Sequence, residues 1–220
     1  MKVIAVAVAK GGVGKSMLTR SLSTAGGISG LNVLVLDMDS QQTTTQWSRR
    51  RRPDEMPIVK FSTENDLGGE LTRAKAAGCD VVFIDTPPAR SSEAPAAIES
   101  ADFVLIPSTA DIEAFEQLHR TLRLARTCGV EASAVLNLAT PNSVSEIDTA
   151  RDVFKSIGLD MAPAVLHRYK LHREAARLGR TAQEIDPTSK AAAEIDTLWL
   201  WVAARLHLGT SANVHGGRAA

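Results

Sequence analysis

Lys10-Gly11-Gly12-Val13-Gly14-Lys15-Ser16 lies between the apolar run Val3-Ile4-Ala5-Val6-Ala7-Val8 and a helix-like segment. A glycine-rich turn from strand into helix aims successive backbone N–H groups at one point, with the helix dipole behind them. Such a turn seats phosphate. Gly11, Gly12, Val13 and Gly14 would form the cradle, Lys15 would reach the β/γ-phosphates, and the Ser16 hydroxyl would ligate Mg²⁺. The general pattern G-x-x-x-x-G-K-[ST] is not strictly met, because position 9 is Ala and an extra lysine, Lys10, stands next to it.

Two acidic motifs follow apolar runs. Asp37-Met38-Asp39-Ser40-Gln41 comes directly after Val33-Leu34-Val35-Leu36, and Asp85-Thr86-Pro87-Pro88 directly after Val81-Val82-Phe83-Ile84. Ligands of open α/β sheets gather at the carboxyl ends of strands. A carboxylate there can hold Mg²⁺ through water and so organise phosphates. A lone aspartate after a strand is as readily a turn or helix cap. The phosphate-type loop upstream, together with two such aspartates, favours the metal-side role.

Apolar runs that alternate with helix-like segments must position these residues. Strands are predicted near 2–9, 32–37, 57–61, 80–85, 102–107, 130–136 and 163–166. Helices are predicted near 15–29, 42–51, 65–77, 92–99, 112–127, 143–157, 169–179 and 188–208. Continuous rather than alternating apolar runs indicate strands covered on both faces. The expectation is a doubly wound α/β fold, a mostly parallel sheet flanked by helices. Residues 1–208 read as one domain, and the Gly/Ala/Ser-rich stretch 209–220 as a frayed tail.

Of the 220 residues, 44% are hydrophobic and 23% charged, which excludes a disordered chain and allows a sizeable core. Lys and Arg number 25 and balance 25 Asp and Glu, so binding to nucleic acid or an acidic membrane must come from a local patch. Cys79 and Cys128 lack metal-type spacing and read as small buried apolar residues in a reducing cytoplasm. The apolar start lacks a cleavage site and runs into the glycine loop, so it reads as a buried strand. No apolar stretch is long enough to span a bilayer.

The loop and the two acidic motifs together resemble the ParA/MinD family of deviant Walker-motif ATPases. The likeness is carried by Lys10-Gly11-Gly12-Val13-Gly14-Lys15-Ser16, Asp37-x-Asp39-x-Gln41 and Phe83-Ile84-Asp85-Thr86-Pro87-Pro88. It continues in Val104-Leu105-Ile106-Pro107 and, more weakly, in Pro187-x-Ser189-x-Ala191, and so covers nearly the whole chain. With no DNA-reading domain ahead of the loop, the chain is similar to the small ParA type of plasmid partition and organelle positioning. The resemblance implies a slow, Mg²⁺-dependent ATPase that forms an ATP-sandwich homodimer. Lys15 would bind phosphates within its own subunit, and Lys10 would cross to the partner's nucleotide. Ser16 and, through water, Asp85 would hold Mg²⁺, Asp37 would support that side, and Asp39 would orient the attacking water. Hydrolysis needs an in-line water and positive charge over the leaving phosphate, which agrees with this division. Two positions depart from the family. Met17 replaces a Thr whose hydroxyl helps hold the α-phosphate, and Ser40 replaces a Pro. Asn137, after Ala134-Val135-Leu136, matches the family's adenine contact and reads equally as a strand-end turn residue.

Lys170, Arg173, Arg177 and Arg180 recur at helical spacing, with Arg168 just before them and Leu171, Ala175 and Leu178 on the opposite face. Such a row is commonly a solvated face. The resemblance implies instead sequence-independent DNA binding, doubled across a dimer and sensitive to salt. Arg49-Arg50-Arg51-Arg52 reads as a solvated helix end. The segment 198–208 is apolar almost all round and reads as a core-packed or partner-facing helix, so no membrane partner is expected. The implied function is a cytoplasmic, nucleoid-associated switch. It would position a plasmid, chromosome or protein cargo, with hydrolysis stimulated by a ParB-like or cargo-adaptor protein. The alternative is a MinD-like, membrane-associated positioning ATPase.

Overall fold

The computed structural model describes residues 1–88, 92–141 and 143–209, with the side chains of 112–114 and 116 left aside. In chain order the elements are β1 (Lys2–Val6), α1 (Lys15–Ile28), β2 (Val33–Asp37), α2 (Thr43–Ser48), β3 (Ile58–Phe61), α3 (Glu64–Ala76), β4 (Val81–Asp85) and α4 (Glu93–Glu99). There follow β5 (Phe103–Ser108), α5 (Ile112–Thr127), β6 (Glu131–Ala139), α6 (Val144–Ser156), β7 (Asp160–Met161), β8 (Leu166–His167), α7 (Lys170–Arg177), α8 (Ala182–Ile185) and α9 (Lys190–Arg205). The strands form one eight-stranded sheet in the order β3-β2-β4-β1-β5-β6-β7, with β8 also on β6. Every pairing is parallel.

Continuous apolar strands make sense here because both faces are covered. Ile4, Val6, Val35 and Phe83 pack with Leu18 and Leu22 of α1 and Ile195, Leu198, Trp199 and Val202 of α9. Val3, Ala5, Leu36, Val82 and Ile84 face the other layer, with Leu67 of α3, Ile98 of α4, Leu118 of α5 and Phe154 of α6. The alternation along each strand is the two-residue period of a pleated strand. The Trp199 indole N–H donates to Ser29 Oγ (2.9 Å), which satisfies its one polar atom inside the core. The apolar C-terminal segment is thus core, although Leu200 faces solvent. Among the described residues no helix is long and apolar enough to cross a membrane.

Several elements differ from the sequence reading. The strand expected at 163–166 is instead two short ones, β7 before Pro163 and β8 after it, since proline cannot donate to the ladder. Helix α8 has no counterpart among the expected elements; Thr181 and Glu184 form a capping box at its start. The helix expected at 42–51 ends at Ser48, and the one expected at 169–179 ends at Arg177. Cys79 and Cys128 are free thiols but only half-buried. Residues 210–220 of the expected tail lie outside the described residues.

Candidate functional site

Strand register brings the site together. Val6 pairs with Asp85, and Asp85 pairs with Asp37, so the glycine loop after β1 and both acidic motifs leave one rim of the sheet. Gly14, at φ 90°, caps α1 in the left-handed region. A side chain there would collide with Asn137, so both backbone shape and space demand glycine. Lys15 opens the helix and is only 7% exposed. Its ammonium turns back and donates to the Lys10 carbonyl (3.0 Å), close over the loop. Burial lowers the Lys15 pKa, and the nearby Asp85 and Asp39 charges oppose that fall.

Asn137 stands behind the loop. It is fully buried; its Nδ2 donates to the Val13 carbonyl (2.7 Å) and its Oδ1 accepts from the Leu138 N–H (2.9 Å). Both ends of the amide are therefore committed to backbone, and the side chain braces the phosphate-type loop from β6.

The acids are organised by three consecutive threonines that sequence reasoning did not single out. They form the first turn of α2. The Thr43 hydroxyl donates to Ser16 Oγ (3.1 Å), and the Thr44 hydroxyl donates to Asp85 Oδ2 (2.6 Å). The Thr45 N–H (2.8 Å) and hydroxyl (2.9 Å) both donate to Asp37 Oδ2. Asp37 Oδ1 accepts from the Asp39 N–H (3.2 Å). Asp37, expected on the metal side, thus spends its oxygens fixing the Asp39 turn and the start of α2. Burial raises its pKa, and the Thr45 and Asp39 donors oppose the rise. Asp85 differs: its Oδ1 is buried and has no hydrogen-bond partner among the described residues. Burial, reinforced by Asp37, pushes its carboxyl up to about 6, while the Thr44 hydroxyl, the nearby Ser16 hydroxyl and the Arg20 charge pull the other way. Asp39 is partly exposed, and its Oδ1 accepts from the Gln41 N–H (2.9 Å).

Lys10 reaches outward from the same loop and forms an ion pair with Asp111, which also accepts from the Thr109 hydroxyl. Two lysines therefore serve one loop, Lys15 inside and Lys10 at its rim.

A profile described as the CobQ/CobB/MinD/ParA nucleotide binding domain matches residues 4–197. The chain belongs to this ParA/MinD family. A curated relative, maintenance of carboxysome distribution protein A of Gloeobacter kilaueensis, is 26% identical over 212 residues, 90% of this chain and 95% of the relative. Among solved structures, the septum site-determining protein MinD complexed with Mg-ADP from Pyrococcus horikoshii superposes with a TM-score of 0.74 at 18% identity, over 93% of this chain and 97% of that one. A variant McdA of Cyanothece in complex with ATP gives 0.72 at 18% identity, over 97% and 99%. These structural likenesses show the fold.

The ParA/MinD likeness also directs attention to Met17 and to the basic row. Met17 lines a cleft of about 400 Å³ with Arg20, Leu138, Arg168, Tyr169, His172 and other residues of α7. Arg168, Lys170, Arg173 and Arg177 are exposed. Arg180 is not part of that row. It follows the end of α7 and pairs with Glu55 (2.8 Å) and Glu184 (3.2 Å). The opposite face needs correction too: His172 and Ala175 are buried, Leu171 only partly so, and Leu178 is 62% exposed because it lies past the helix end. Nor is Arg49-Arg50-Arg51-Arg52 a uniform solvated end. The Arg51 side chain is 3% exposed and grips Glu184 with two bonds of 2.9 Å.

Proposed function

We propose that residues 1–208 form one ATPase domain that acts as a positioning switch. ATP and Mg²⁺ bind at the glycine loop, two copies close on the nucleotides, and the dimer binds DNA without regard to sequence. A ParB-like or cargo-adaptor protein then stimulates slow hydrolysis and release. The cargo is a replicon or a protein body, and the switch works in the cytoplasm on the nucleoid. The observation that carries this reading is the buried, unpartnered Oδ1 of Asp85 at the foot of a loop bearing two lysines.

That oxygen and the Ser16 hydroxyl are hard donors and fit Mg²⁺, Asp85 acting through water. Bound there, Mg²⁺ would neutralise charge on the phosphates. The chain's own residues do the rest. The loop N–H groups and Lys15 hold the phosphates, Asp39 orients the attacking water, and Asn137 keeps the loop in shape. Lys10 leaves Asp111 to reach the partner's nucleotide, which ties charge stabilisation to dimer formation. The cleft beside Met17 takes the nucleoside, and Arg168, Lys170, Arg173 and Arg177 meet DNA phosphates.

DNA binding measured with ADP, with ATP, and with ATP at rising salt tests this reading. Binding that requires ATP and falls linearly in log affinity against log salt is expected. Equal binding in both nucleotides would overturn it. A second reading, a MinD-like membrane-associated positioning ATPase, draws on the fold likeness to MinD. Tight ATP-dependent co-sedimentation with liposomes, without DNA binding, decides for that alternative.

A further inference from the structure

Helix α2 touches the nucleotide site at one end and the basic helix α7 at the other. Its first turn holds Ser16, Asp85 and Asp37 through Thr43, Thr44 and Thr45. Its other end, with the residues just after it, holds carbonyls in the last turn of α7 and in the turn beyond. The Trp47 indole N–H donates to Arg180 O (3.1 Å), Arg50 donates to Ala176 O (3.2 Å), and Arg51 donates to Gly179 O (2.9 Å). Ala176 lies in the last turn of α7, whose carbonyls carry the helix's negative pole, so the Arg50 guanidinium is well matched there; Gly179 and Arg180 lie in the turn just past it.

The joint is tight as well as polar. The Arg51 guanidinium lies 4.7 Å from the Trp47 ring centroid and takes both oxygens of Glu184. Gly179, at φ 71°, leaves no room for a side chain: a Cβ would stand 2.7 Å from Arg50 Cβ and 2.9 Å from the Arg50 carbonyl carbon. A shift of α2 must therefore move the end of α7 or break this joint.

We propose that Trp47, Arg50 and Arg51 are positioning residues that make polyanion binding by α7 depend on what occupies the nucleotide site. The inference rests on the functional reading above. A ligand shifts an equilibrium only where it interacts differently with the two states. Here the difference is specific. Ser16 and Asp85, the groups that fit Mg²⁺, are the present acceptors for Thr43 and Thr44. Occupation of the site re-partners the first turn of α2. The grip of Trp47, Arg50 and Arg51 carries that change to the helix bearing Lys170, Arg173 and Arg177.

The experiment measures duplex DNA affinity with ATP and with ADP for three proteins. These are wild type, Trp47→Phe, and the double variant Arg51→Gln with Glu184→Gln. The first variant keeps an aromatic ring under Arg51 and loses the indole donor together with part of the buried ring volume. The second removes the ion pair without leaving a lone buried charge, and a glutamine in place of Glu184 can still complete the capping box. Wild type is expected to show an ATP-to-ADP affinity ratio of about tenfold or more. In the variants that ratio falls to about threefold or less, while ATP affinity and ATP-driven dimerisation by light scattering stay as in wild type. A wild-type ratio kept by both variants overturns the coupling alone. Equal wild-type binding in ATP and ADP overturns the switch and this coupling with it.

Discussion

The Thr44 hydroxyl donates to Asp85 Oδ2 at 2.6 Å, with both residues fully buried. It satisfies one oxygen of a carboxylate whose other oxygen has no hydrogen-bond partner among the described residues. Thr44→Val removes the donor on Oδ2, and an unsatisfied buried group costs about 1–3 kcal/mol. Urea unfolding of the ligand-free protein is expected to show that loss, and Thr44→Ser is expected to recover most of it. Equal stability of the Val and Ser variants would contradict this role.

The Asp85 carboxyl, pushed up to about 6 from 3.8, gives a pH signature. A folded-state pKa above the unfolded one favours folding at low pH, and that contribution disappears as pH rises through the folded value. Through this group the ligand-free protein is expected to lose stability between about pH 4 and pH 6. Asp85→Asn removes the loss. The Tm of the variant minus that of wild type should therefore be larger at about pH 7.5 than at about pH 4.5. Calorimetry without nucleotide or Mg²⁺ checks it, and a difference independent of pH would be the contrary result.

Asn137 separates a brace from a base contact. Its amide is committed to Val13 O and the Leu138 N–H, so Asn137→Ala should loosen the loop. Affinity for Mg-ATP and for base-free Mg-tripolyphosphate should fall together, by about tenfold, as expected for a lost buried hydrogen bond. A fall for ATP alone would mark Asn137 as a reader of adenine.

Lys10 must leave Asp111 before it can act on a second subunit. Lys10→Ala is expected to spare nucleotide binding by the monomer and abolish ATP-driven dimers by light scattering. Asp111→Asn should let dimers form at lower ATP, by no more than about fivefold, because a partly exposed ion pair contributes about 1 kcal/mol at most. Normal dimerisation of the Lys10→Ala protein would remove the role given to that lysine.

Met17 forms part of the cleft wall beside the loop. Met17→Thr supplies a hydroxyl near the start of α1 and should tighten nucleotide binding by about threefold to tenfold, the worth of one hydrogen bond. Unchanged or weaker affinity by titration calorimetry would count against that place for the α-phosphate.

The loop and the sheet are readable from sequence because their signals are local. Lys10 through Ser16 are contiguous, and each acidic motif abuts an uninterrupted apolar strand. What cannot be read depends on distant chain segments. Thr43, Thr44 and Thr45 look alike in sequence. One helical turn sends each to a different partner, and only the β2–β4 register puts Asp37 beside Asp85. Arg51 is indistinguishable from Arg49 and Arg52 until the α7–α8 turn arrives with Glu184. Arg180 fits the helical spacing of Lys170, Arg173 and Arg177, yet the chain has already left the helix. One signal is local: Thr181-x-x-Glu184 is a capping box that announces α8.

Asp37 and Asp85 occupy the same rung of neighbouring parallel strands. A slip of β2 by a single residue would turn every one of its side chains to the opposite layer. Asp37 would then lose the start of α2, and Leu36 would turn into the layer of α1 and α9, where Val35 now packs. Copies that misassemble at this seam therefore come out inert rather than leaky, since the slip that parts Asp37 from Thr45 also takes it off the rung beside Asp85.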